Sequence, residues 1–130
     1  MSLNDPLANV LSHMKNYEQT KKKEVVTRFN SKLIRGVLEI LQKEGYVGSV
    51  ETVEDARGGV LKINLLGRIN DVNVIKPNFQ IGKSEFEKYE KRFLPAKGFG
   101  ILVVSTSKGL MTHEEAKKQG VGGKLLAYCY

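Results

Sequence analysis

Two stripes of apolar residues recur at helical spacing, Leu7, Val10, Leu11, Met14 and Ile34, Val37, Leu38, Leu41. Residues at i, i+3, i+4 and i+7 lie on one face of an α-helix, so each stripe needs a surface to bury against. Between them, Glu24-Val25-Val26-Thr27-Arg28-Phe29 is short and β-branched and reads as a strand. Two further strand candidates follow, over 47–54 and 60–66, joined by Asp55-Ala56-Arg57-Gly58-Gly59. In the second, Leu61, Ile63 and Leu65 alternate with Val60, Lys62 and Asn64, the period of a strand buried on one side. The order α-β-α-β-β predicts a lobe with its helices on one face of a small sheet.

Local signals bound these helices. Asp5 is placed to cap the first and Pro6 to occupy its first turn, where a missing N–H costs nothing. Asn9, His13, Lys15 and Asn16 fall on the polar face, and Tyr17 to Lys23 reads as a polar connection ending in Lys21-Lys22-Lys23. Ser31 is the expected N-cap of the second helix, and Gly45 lies just past its end.

The pattern changes near Gly67, which predicts an N-terminal lobe over 1–66 and a mainly β C-terminal lobe over 67–130. Val72 to Lys76 reads as a short strand ended by Pro77. Ser84 to Arg92 is densely charged, with Phe86, Tyr89 and Phe93 at helical spacing, and predicts a short helix broken at Leu94-Pro95. Phe99 to Val104 is the most apolar strand. Thr112 and Glu115 match a capping box for a short helix over His113 to Gln119, closed by Gly120, and Lys124 to Tyr130 is the last strand. The fold class is therefore α+β, two small lobes, the second mainly antiparallel β with one or two short helices.

With 41% hydrophobic residues over 130 positions the chain can build a real core. Its formal net charge of +7 favours polyanions, because each Lys or Arg set against a phosphate releases condensed counterions. No apolar run approaches a bilayer-crossing length, and the N-terminus lacks the features of a secretory signal, so a cytoplasmic chain with no membrane partner is expected. A single cysteine, Cys129, excludes an internal disulfide and is too little for a cysteine-based zinc site.

Catalytic readings fail one by one. Ser105 and Ser107 are not in a Gly-x-Ser-x-Gly elbow, and only His13 and His113 are available as bases. His113, at the start of a helix, is expected to be exposed or to make a modest local contact. Gly122-Gly123-Lys124 lacks the upstream glycine and the following Ser or Thr of a phosphate loop. Glu85, Glu87, Glu90, Glu114 and Glu115 alternate with lysines as helix-surface ion pairs do. No enzyme, cofactor, metal or small-molecule substrate is expected, and a small basic hydrolase is the disfavoured alternative.

Nucleic-acid contacts are easier to assemble from these residues. Ser105-Thr106-Ser107-Lys108-Gly109 and Thr112 follow the apolar strand, with Gly122-Gly123-Lys124 close behind in sequence. Hydroxyls donate and accept, and glycine lets backbone approach closely, which suits the wide minor groove and 2′-hydroxyls of RNA. Ser and Thr also form turns and caps, and the residues alone leave both readings open. Lys32 and Arg35, on the first turn of the second helix, are further phosphate candidates. The Lys21-Lys22-Lys23 run reads foremost as a solvated surface, with a contact to a phosphate backbone at the protein edge as the second reading.

The chain resembles, over essentially its full length, the family of the eighth protein of the small ribosomal subunit (the universal S-eight family). The resemblance rests on four ordered blocks: Asp5-Pro6-Leu7-Ala8, Ser31-Lys32-Leu33, Ser105-Thr106-Ser107-Lys108-Gly109 and Gly122-Gly123-Lys124-Leu125-Leu126. Tyr89 to Ala96 and Thr112-His113-Glu114-Glu115-Ala116 look like the archaeal and eukaryotic branch, and Ser105 tilts the likeness to the archaeal side. Residues 21–30 lack the proline before Ser-Lys that many relatives carry, and Asn30 can fill that turn.

The resemblance implies a structural constituent of the small ribosomal subunit, in the cytoplasm, that binds the central domain of its RNA directly and supports assembly beside neighbouring ribosomal proteins. It implies that Ser105, Thr106 and Ser107 meet the RNA minor groove, with Gly122, Gly123 and Lys124 close by, and that Asp5, Asn9, Lys15, Lys32 and Arg35 form a weaker second contact. A free RNA-binding regulator of its own messenger is the alternative.

Overall fold

Both apolar stripes become helices in the computed structural model, which describes residues 6–28, 31–53, 59–76, 79–82, 84–96 and 98–130. The fold is α+β and divides into two units, Met1–Val72 and Asn73–Tyr130. In the first, α1 (Pro6–Gln19) buries Leu7, Val10, Leu11 and Met14, and α2 (Lys32–Lys43) buries Ile34, Val37, Leu38 and Leu41. Ser31 caps α2, its Oγ accepting the Ile34 N–H at 3.2 Å, and Gly45 follows the last turn with its N–H on Gln42 O. The Asp5 cap and the Asn30 turn lie outside the described residues.

The helices cover an antiparallel sheet of order β1-β3-β2, from β1 (Glu24–Thr27), β2 (Val47–Val53) and β3 (Val60–Leu65). Val25 of β1 and Leu61, Ile63 and Leu65 of β3 point into the core, as the alternation requires.

The first helix is longer than the polar character of Tyr17 to Lys23 suggests. Tyr17, Glu18 and Gln19 extend it, because none of them opposes a helix and the closing signal comes later. That closure is Lys21, at φ 61°, with its N–H on Glu18 O (3.1 Å) and the Lys22 N–H on Tyr17 O (2.9 Å). Such a double closure usually carries glycine at the left-handed position, and a lysine there gives no advance notice.

The second unit is built on a five-stranded antiparallel sheet. β4 (Val72–Val74), β8 (Gly123–Cys129), β6 (Ile101–Thr106) and β7 (Gly109–Thr112) lie in that order, and the two-residue β5 (Gln80–Ile81) pairs with the start of β8. Helix α3 (Phe86–Phe93) sends Phe86 and Tyr89 into a core with Ile75, Ile81, Leu102, Val104 and Leu125. Helix α4 (His113–Gln119) adds Ala116 and closes at Gly120. Cys129 is fully buried on β8. No helix is long and apolar enough to cross a membrane.

Candidate nucleic-acid interface

The residues expected as a loop form a hairpin instead. Ser105 and Thr106 end β6, Gly109–Thr112 is a strand in its own right, and only Ser107 and Lys108 are left as the exposed tip. The reason is cooperative. Ile101 to Val104 are buried and paired with β8, Val103 and Val104 also pair with β7, and small or β-branched hydroxyl residues continue such a ladder readily. β6 therefore starts two residues later and ends two residues later than 99–104.

The turn is closed from inside. Thr106 Oγ1 donates to Gly109 O at 2.9 Å and accepts the Lys108 N–H at 3.0 Å. Its one donor is thus spent within the hairpin, while an acceptor lone pair remains. Gly109 takes φ 111°, and Ser107 and Lys108 keep ordinary negative φ. Glycine absorbs the conformation that strand twist would otherwise impose on the tip.

Ser105 is half-buried, flanked in register by Leu110 on β7 and Lys124 on β8. Gly123 is buried next to it, and a Cβ there would collide with Ser105 O. A Cβ on Gly122 would collide with Ile81 O. These glycines act as spacers that let β5, β8 and β6 close together. Of the three residues 122–124, only Lys124 presents a side chain, and it is exposed. Thr112 is 5% exposed, and its Oγ1 accepts the Glu115 N–H at 3.2 Å, which fixes the start of α4. What faces outward is the Ser107–Lys108 tip, Lys124 and part of Ser105: hydroxyls and ammonium groups on a fixed backbone.

Behind the hairpin lies an arrangement that sequence spacing did not reveal. His113 is buried, not exposed, with 2% of its surface accessible. Its Nδ1 accepts the Leu102 N–H at 3.1 Å, and its Nε2 lies 3.0 Å from Glu90 Oε1. The other Glu90 oxygen accepts from Lys117 Nζ at 2.6 Å. Glu90 thus pairs with α4, not along its own helix as the charge alternation suggested. Burial holds the imidazole below its ordinary pKa of 6.5, and Lys117 acts in the same direction, against the opposing pull of Glu90 and Glu114. Both ring nitrogens are committed, which leaves no lone pair for a nucleophile or a metal. Among the described residues no group of three or more His, Cys, Asp and Glu side chains could hold a metal ion.

The weaker candidates all belong to the first unit. Lys15 is engaged with Asp71 at 2.9 Å. Asn9 is half-buried on α1, Lys32 and Arg35 are exposed on α2, and Arg35 Nε reaches back to Ser31 O at 3.4 Å. Asp5 lies outside the described residues. Residues 5–130 match the family model described as ribosomal protein S8, so the chain belongs to the ribosomal protein S8 family: a small-subunit ribosomal protein of the cytoplasm that binds ribosomal RNA and is not an enzyme.

Proposed function

We propose that the β6–β7 hairpin, with Lys124 beside it, is the surface that recognises the central domain of small-subunit ribosomal RNA. The observation that carries this reading is the internal closure of the turn by Thr106, which leaves the Ser107 and Lys108 groups outward on a backbone already ordered. An ordered loop loses little entropy on binding, so hydroxyl contacts translate into affinity. Lys108 and Lys124 supply salt-sensitive attraction to phosphates, while Ser107 and the exposed part of Ser105 meet 2′-hydroxyls and base edges in a shallow groove. Gly122, Gly123 and Thr112 contribute by shaping that surface.

The role is architectural. The two units are the two lobes of the family, the first α/β and the second mainly β with the hairpin. Binding holds RNA segments in fixed geometry and prepares the site for later proteins of the subunit. The test is a filter-binding titration against central-domain RNA fragments across a salt series, with Ser107→Ala alongside. Saturable binding to one fragment, weakened by the substitution, is the expected result. Binding that ignores the fragment's identity and vanishes with salt would reduce the reading to charge alone.

A further inference from the structure

The lysine run at the end of α1 is not spread over a convex surface. Lys21, Lys22 and Lys23 line a cleft of about 670 Å³ together with Asn64 and Leu66. We propose that this cleft is a second RNA-binding site, one that takes the sugar–phosphate backbone of the ribosomal RNA independently of the hairpin. The proposal rests on the reading that the chain binds small-subunit RNA and needs no particular role for Ser107.

Five features support it. Lys21 stands at φ 61°, where the fold by itself favours glycine, so a charged side chain is kept at a position that opposes it locally. The run is tied down at both ends, by the Lys21 N–H on Glu18 O at 3.1 Å and by the Leu65 N–H on Lys23 O at 2.8 Å. Lys22 Nζ lies 4.9 Å from the Tyr17 ring centre, so its side chain is laid along the last turn of α1. The one carboxylate among the lining residues, Glu18, accepts the Ile69 N–H at 3.0 Å through Oε2, and among the described residues none of the three lysines is in an ion pair. Asn64 and Leu66, both exposed, line the same cleft and add an amide and an apolar side chain, against which a ribose can pack. Ammonium groups, an amide and an apolar wall fit a sugar–phosphate chain better than an isolated anion.

Lys21→Gly separates charge from fold, because glycine is the preferred residue for the turn it removes the charge from. The experiment titrates the full chain against protein-free small-subunit ribosomal RNA across a salt series. It compares wild type, Lys21→Gly, a triple variant (Lys21→Gly, Lys22→Ala, Lys23→Ala), Ser107→Ala, and a charge-matched control (Lys88→Ala, Lys91→Ala, Lys118→Ala). Lys21→Gly is expected to melt no lower than wild type, and to lower the slope of log affinity against log salt by about 0.7–0.9. The triple variant is expected to lower it by about 2–3 and to lose roughly tenfold or more in affinity at low salt, well beyond the control.

A triple variant that matches the control overturns the proposal. If the triple variant binds protein-free RNA normally but enters reconstituted subunits poorly, the cleft takes an acidic protein segment and the RNA assignment is overturned. Loss with Ser107→Ala but not with the triple variant removes the cleft alone and leaves the hairpin reading standing. Wild type that does not bind the RNA removes both.

Discussion

His113 Nδ1 accepts the backbone N–H of Leu102 at 3.1 Å, at the point where β7 ends in Thr112 and the chain turns away as α4. The imidazole takes the place that the next strand residue would have filled, so β6 is not left with a buried N–H lacking an acceptor. Since Nδ1 accepts, the proton of the neutral ring sits on Nε2 and is donated to Glu90.

That arrangement predicts acid sensitivity. The folded-state pKa of His113 lies below 6.5, so the unfolded chain takes up this proton first as pH falls. The contribution of the neutral imidazole is intact above about pH 6.5 and is lost progressively as pH falls towards the lowered folded-state value. Melting curves from neutral to mildly acidic pH should show this decline. His113→Asn, which cannot titrate there, should flatten it. An unchanged slope in the variant would assign the acid sensitivity to other groups.

Thr106 and Ser107 should separate stability from binding. Thr106→Val removes both turn bonds and should cost about 1 kcal/mol of stability, read from denaturant midpoints. Ser107→Ala touches no hydrogen bond within the protein, so it should leave the midpoint unchanged. It should instead weaken RNA binding by ~1–3 kcal/mol, because its RNA partner loses a hydrogen bond. The opposite assignment of effects would move the binding surface away from the tip.

Gly123 has no room for a side chain against Ser105 O. Gly123→Ala should therefore force β8 and β6 apart and cost about 1–3 kcal/mol, as over-packing in a tight core does. Hydrogen exchange should report faster opening of Ser105 and its neighbours. Wild-type protection in the variant would mean that the strands tolerate the shift.

Ser31→Ala should cost about 1 kcal/mol by leaving the Ile34 N–H without its acceptor, with RNA binding of the hairpin untouched. Chemical denaturation of the two proteins side by side measures it, and equal midpoints would show that solvent replaces the cap at no cost.

Sequence alone determined the elements whose causes are local. Leu7 to Met14 and Ile34 to Leu41 form stripes because helical neighbours are three and four residues apart, and the structure buries all eight. Ser31 and Thr112 were legible as caps because a cap is written within four residues. The ordered blocks from Asp5 to Leu126 were specific enough to identify the family.

Tertiary structure decided what depends on partners distant in the chain. Ser105 and Thr106 became strand because β7 pairs with both and β8 with Ser105, and the two-residue β5 has no periodicity to read. His113 looked like a surface residue until α3 brought Glu90 to it and β6 brought the Leu102 amide. Lys21 closes a helix without the glycine that would have announced it. A short window records propensity, but hydrogen-bond partners and burial are set by which segments the folded chain brings together.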